Sequence, residues 1–317
     1  MKYPIITTLI YLLALTLIVL SPFHGQIPIE LYNLDNPTTV DYKLFWDIRL
    51  PRVLVAFFAG GILSLGGLIF QSLFKNPMST PYTLGVATGS TLGVAVAIVF
   101  GFSSLLSLFG FFGALLTVFI LFTLTLRLKS YETNSLLLVG IALAFFYNAA
   151  LMILFYLSDE SQSFEIIRFT MGSVDVVGLE NTISIIVASV ALLLLSLFYK
   201  KELKLLLTSN DYAYLKGVQV KKVNTILLVS VSLAVGVSVS ITGPIGFVGL
   251  IIPHILKTLH KKSAEQLMVP IFFYGGVFLV LSDLIARNLG TSSDIPIGII
   301  TAFLGGPFFI YLIMRRR

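Results

Sequence analysis

Residues 223–256, VNTILLVSVSLAVGVSVSITGPIGFVGLIIPHIL, run for 34 positions without an Asp, Glu, Lys or Arg. Lys221 and Lys222 stand before the run and Lys257, Lys261 and Lys262 after it. A helix of about 20 residues crosses the hydrocarbon core of a bilayer, so this stretch is too long for one crossing. Thr242-Gly243-Pro244-Ile245-Gly246-Phe247 interrupts it near the middle and divides it into two spans, 223–242 and 244–259. The second is short and holds Pro253, which leaves a re-entrant or discontinuous helix as its alternative form.

Outward from this hairpin the pattern repeats. Further apolar stretches lie at 5–20, 53–74, 84–100, 105–126, 135–157, 182–199, 267–286 and 295–314, making ten in all. Only 11% of the 317 residues are charged and 57% are apolar, with a mean hydropathy of +0.98. A soluble domain is about 25% charged, and these residues cannot cover a water-exposed surface. The composition excludes a soluble enzyme. It predicts an all-α polytopic membrane protein of about ten transmembrane helices, with residues 1–317 as one transmembrane domain. Residues 84–100 are, like 244–259, short enough to be re-entrant. The first stretch ends at Ser21-Pro22 without an Ala-x-Ala pattern, so it is expected to stay as an uncleaved span.

The basic residues set the orientation. With ten spans and both termini inside, 16 of the 21 Lys and Arg fall on the cytoplasmic side, from Lys2 to Arg315, Arg316 and Arg317. Lys43, Arg49, Arg52, Arg168 and Arg287 fall outside, a split that follows the positive-inside rule. The same rule accounts for the net charge of +6 without nucleic acid. The outer segment 158–181 has room for a short surface helix at Ser163–Met171, and the longest inner connection is 200–222.

Groups for chemistry are scarce. There is no Cys, hence no disulfide, thiolate metal site or Cys nucleophile. No P-loop, Gly-x-Ser-x-Gly elbow or metal-ligand constellation occurs, so neither a metal nor another cofactor is expected in this chain. ATP, if used, must be handled by a partner. Apart from groups near the span ends, only His254, Asp283 and Arg287 stand within or beside the spans; the last two share a helix face at i,i+4, where pairing lowers the cost of both. Gly85, Gly89 and Gly93 recur every four residues, and Gly60, Gly61, Gly66 and Gly67 cluster in the preceding span. Small residues let membrane helices approach closely, and they can also line a path.

Several strings in order carry a resemblance across almost the whole chain. They are Arg49-Leu50-Pro51-Arg52, Gln71-Ser72-Leu73-Phe74-Lys75-Asn76-Pro77, Leu84-Gly85-Val86 with Gly89, and Gly243-Pro244-Ile245-Gly246-Phe247-Val248-Gly249-Leu250 with Pro253-His254. Ile295-Pro296-Ile297-Gly298 and Gly305-Gly306-Pro307-Phe308-Phe309 complete the series. Together they resemble the FecCD-type permeases, the membrane subunits of binding-protein-dependent ABC importers for ferric siderophores, haem and vitamin B12.

The resemblance implies the type II importer permease fold. It also implies a second permease subunit, identical or paralogous, two cytoplasmic ATPase subunits and an extracytoplasmic binding protein. Arg49, Arg52 and Arg287 match arginines that meet acidic residues of the binding protein. Thr133 and Asn134 match a cytoplasmic gate, and about Leu205 to Val220, with Asp211, Leu215 and Gly217, matches the loop that seats in the ATPase. Gly85, Gly89, Gly93, Gly243, Pro244 and Gly246 are assigned to the path and to helix packing. Ser79-Thr80-Pro81 departs from the family's Ala-Asp/Glu-Pro, and Glu132 adds a charge beside the gate. The implied function is import of a metal chelate, foremost a ferric siderophore, across a bacterial inner membrane. The rival from another class is an ion-coupled secondary transporter, which needs titratable groups near the midplane.

Overall fold

The computed structural model describes residues 2–25, 27–127, 133–260, 263–289 and 294–315. Its elements are helices joined by short turns, with no strand among the described residues. In chain order the α-helices are α1 (Lys2–Leu20), α2 (Val40–Lys43), α3 (Leu50–Leu73), α4 (Val86–Val99), α5 (Leu106–Arg127), α6 (Thr133–Leu157) and α7 (Glu160–Thr170). They continue with α8 (Glu180–Phe198), α9 (Lys200–Thr208), α10 (Asn210–Leu215), α11 (Val220–Thr242), α12 (Val248–His260), α13 (Ala264–Leu289) and α14 (Ile297–Arg315). A π-helical turn, Leu44–Arg49, joins α2 to α3.

Six of the described helices are long and apolar enough to cross a membrane, and four shorter apolar helices accompany them. These ten segments coincide with the ten apolar stretches of the sequence. The expected surface helix is α7. Asp159 accepts from the backbone N–H of Gln162 while the Gln162 side chain accepts from that of Asp159, and this capping box fixes its start.

Helix α3 is the centre of the bundle. Of its 24 residues 19 are buried, and α8, α11, α12 and α13 surround it. The equally apolar α5, α6 and α8 keep most of their surface outward, toward the space a bilayer or a second subunit would fill. No hydrophobic force separates helix from lipid, so close backbone contact has to hold α3 in place. Gly60, Ser64, Gly67 and Gln71 follow at steps of four, three and four and therefore share one side of α3. A Cβ on Gly60 would collide with the Gly275 carbonyl of α13, and one on Gly67 with the Gly249 carbonyl of α12. Between them Ser64 Oγ donates to the Ile271 carbonyl at 2.9 Å. The glycines of α4 work in the same way against α5: Gly89 faces Thr117 and Gly113, and Gly93 the Phe109 carbonyl. Gly85, at φ 80°, supplies the left-handed turn that starts α4.

Candidate functional site

The turn before α3 and the facing end of α13 gather most of the buried charge. Asp283 of α13 is fully buried; Arg49, Arg52 and Arg287 are 5–8% exposed. Arg52 Nε donates to Asp283 Oδ1 at 2.8 Å, and Arg52 Nη1 reaches Asp294 Oδ2 at 2.6 Å and the Asp175 carboxylate. The i,i+4 pair expected from the sequence is present, with Arg287 Nε 3.0 Å from Asp283 Oδ2 as a charge contact. Arg287 also donates to the His24 carbonyl at 3.1 Å and to Ser21 Oγ at 2.9 Å. Arg49 donates to the carbonyls of Pro22, Phe23 and Ile27.

The three arginines and three aspartates thus balance. They tie the segment after α1, the start of α3, the segment before α8 and both sides of the α13–α14 connection into one end of the bundle. Burial of a lone charge costs several kcal/mol, and mutual pairing is what makes this cluster tolerable. The sequence grouped Asp283 with Arg287 but not with Arg52, and it assigned no role to Asp175 or Asp294. Asp294 directly precedes the quoted Ile295-Pro296-Ile297-Gly298 string and is the one of the two with a signal in the sequence.

At the opposite end α9 and α10 form a short helical corner. Ser209, in extended backbone, caps α10 by accepting from the Tyr212 N–H at 2.9 Å. Leu203, Leu206 and Ala213 are buried beneath it, whereas Tyr214 and Leu215 are 73% and 80% exposed. Asp211 is exposed too, and Gly217, at φ 84°, turns the chain toward α11. The backbone of Thr133 opens α6; the side chains of Thr133 and Asn134, like Glu132, lie outside the described residues.

Between the two ends runs the interruption at Gly243–Phe247. Gly243 takes φ 67° and packs on the Phe169 carbonyl, so the break seats on the end of α7. Phe247 takes φ 66°, a strained backbone for a residue with a Cβ, and its ring lies where a Cβ on Gly305 of α14 would be. A cavity of about 440 Å³ opens here, lined by Thr80, Thr83, Pro244, Gly246, Phe247 and Leu250 among others. Its lining is uncharged, and Gly246 faces open space. His254 stands close to the Phe308 ring, with centroids 6.5 Å apart. Among the described residues no group of three or more His, Asp or Glu is placed to hold a metal ion.

This geometry suits passage better than catalysis: a paired, closed end, an uncharged cavity at a helix break, and an exposed corner at the other end. The sequence profile of the FecCD transport family matches residues 11–315. The hemin transport system permease protein HmuU of Yersinia pestis is 34% identical over 305 residues, covering 92% of this chain and 90% of that protein. The vitamin B12 import system permease protein BtuC of Yersinia pseudotuberculosis is 33% identical over 278 residues, 86% of this chain and 82% of that one. Among solved structures, an inward-facing conformation of a transporter described as metal-chelate type ABC superimposes with a TM-score of 0.86. It is 30% identical and covers 99% of this chain and 100% of that one. A membrane-embedded ABC permease in architecture and sequence, the chain belongs to the FecCD transport family.

Proposed function

We propose that this permease carries a metal chelate, foremost a ferric siderophore, inward across a bacterial inner membrane, with both of its own termini cytoplasmic. The full-length likeness to a metal-chelate type ABC transporter carries the proposal. ATP is bound and hydrolysed by two partner subunits seated on the corner formed by α9 and α10, where Leu215 and Tyr214 are free for contact. A second permease subunit, identical or paralogous, completes the path, and an extracytoplasmic binding protein delivers the chelate. Nucleotide-driven tilting then alternates outward-open and inward-open states, with Thr133 and Asn134 at the cytoplasmic gate. The likeness to a hemin permease favours haem as the second cargo.

Docking of the binding protein falls at the end that holds Arg49, Arg52 and Arg287. Asp175 and Asp294, 35% and 31% exposed, are the outer arm of that cluster, so acids of the binding protein meet Arg52 by competing with these two carboxylates. An ion-coupled carrier fits less well, because Asp283, the one fully buried carboxylate among the described residues, is held by two arginines.

Uptake of an iron-55 siderophore into proteoliposomes tests the proposal. Uptake is expected only with ATP, the ATPase and the binding protein present, and uptake on an ion gradient alone would overturn it. Charge reversal of Arg49 and Arg52 is expected to abolish capture of the binding protein by assembled permease; unchanged capture removes the docking assignment.

A further inference from the structure

Helix α12 is continuous but lacks one of its own bonds. Pro253 has no N–H, so the α-helical bond that would reach the Gly249 carbonyl, four residues earlier, cannot form. That carbonyl is buried against α3, where Gly67 leaves room for it. A carbonyl buried there without a partner would lose its hydrogen bond to water and gain none in exchange. The replacement comes from the neighbouring helix: Gln71 Nε2 donates to the Gly249 carbonyl at 2.9 Å. The other half of the same amide, Gln71 Oε1, accepts from Lys257 Nζ at 3.2 Å, one turn beyond Pro253 on α12. The two contacts fix which way the amide points, since the ammonium must face the oxygen and the carbonyl the nitrogen.

We propose that Gln71 is a positioning residue for transport. Its amide stands in for the helix bond that Pro253 removes and anchors α12 to α3 on both sides of the proline. What is positioned lies at the other end of the same short helix. Phe247 and Leu250 line the cavity, and the strained turn at Phe247 leads into α12 through the bonds that the N–H groups of Leu250 and Ile251 make to its carbonyl. The side chain must donate to one partner and accept from the other at the same time, which Gln does. Glu keeps the acceptor for Lys257 and loses the donor; Leu loses both.

The inference rests on the proposed ABC function, and its test keeps the two apart. The assembled complex of permease, ATPase and binding protein, in proteoliposomes, is assayed for ATP hydrolysis stimulated by the binding protein, which requires no knowledge of the cargo. No stimulation in the wild type overturns the proposed function itself. With stimulation present, Gln71→Leu is expected to lower the stimulated kcat at least about fivefold while leaving KM for ATP unchanged. Gln71→Glu is expected to fall between Leu and wild type.

Pro253→Ala returns an N–H to α12, so Gln71→Leu in the Pro253→Ala background is expected to come within about twofold of Pro253→Ala alone. If Gln71→Leu fails to assemble, recovery of assembly in the double variant is the supporting result. A double variant as impaired as Gln71→Leu, in rate or in assembly, overturns the inference, as does a Gln71→Leu complex with wild-type kcat.

Discussion

At one end of the bundle Arg49, Arg52 and Arg287 are buried and engaged with aspartates and carbonyls of their own chain. At the other, Lys200, Lys201, Lys204, Lys216, Lys221 and Lys222 are exposed around a helical corner that also displays Tyr214 and Leu215. Both ends carry basic residues, yet the charges do opposite work. The arginines close one end of the fold, and each has several partners within hydrogen-bond or ion-pair reach. The lysines stay at an exposed surface that is wet or meets another protein, even where Lys204 pairs with Glu265 of α13 at 3.3 Å and Lys216 lies over the Tyr212 ring. Sign and position in the sequence do not distinguish the two cases; desolvation does, because a charge taken out of water must find its partner inside.

The sharpest way to break this contrast is Asp283→Asn. It leaves Arg52 and Arg287 facing each other without the carboxylate between them, and an expected loss of about 3–5 kcal/mol should appear as a lowered unfolding temperature of the purified permease. An unchanged melting temperature would mean that the cluster is no more than decoration. Next in size is Gly67→Ala, whose methyl meets the Gly249 carbonyl and is expected to destabilise by about 1–3 kcal/mol. Gly246→Ala, where a Cβ meets nothing within 4 Å, is its control and should melt like the wild type.

Smallest in stability is Leu215→Ser, expected to stay within about 0.5 kcal/mol of wild type because its side chain is 80% exposed. The same variant should reduce binding-protein-stimulated ATP hydrolysis several-fold. Stability lost without any change in hydrolysis would assign α10 to the fold instead of to a partner.

Much of the fold was legible in the sequence because its signals are local. Apolar length and flanking lysines located all ten segments, the helix expected at Ser163–Met171 is α7, which its capping box starts three residues earlier, and the four-residue spacing of Asp283 and Arg287 paired them. The full cluster was not legible, since Arg52 meets Asp283 and Asp294 across 231 and 242 residues of chain. Nor could hydropathy tell α3 from α6: a leucine against lipid and one against another helix are equally apolar, and only the Gly60–Ser64–Gly67–Gln71 side of α3 distinguishes a helix packed on both α12 and α13. Gln71 itself stood in a quoted string, but its partner is a backbone carbonyl freed by a proline 182 residues later, a relation no side-chain pattern encodes.

The pairing of Arg52 with Asp283 also sets a schedule. The helix that becomes the centre of the bundle is among the first to be synthesised, whereas α11, α12 and α13 that enclose it come late. At about 5–20 residues per second, roughly 10–50 s pass between synthesis of Arg52 and of the aspartate 231 residues downstream. Until Asp175 and then Asp283 arrive, the guanidinium is accommodated at the headgroup level, where long basic side chains reach water. Biogenesis of this permease is therefore a closing operation: a late helix completes the pairing of a charge placed by one of the first, and a chain truncated before α13 would leave Arg52 with Asp175 in place of the full set of three carboxylates.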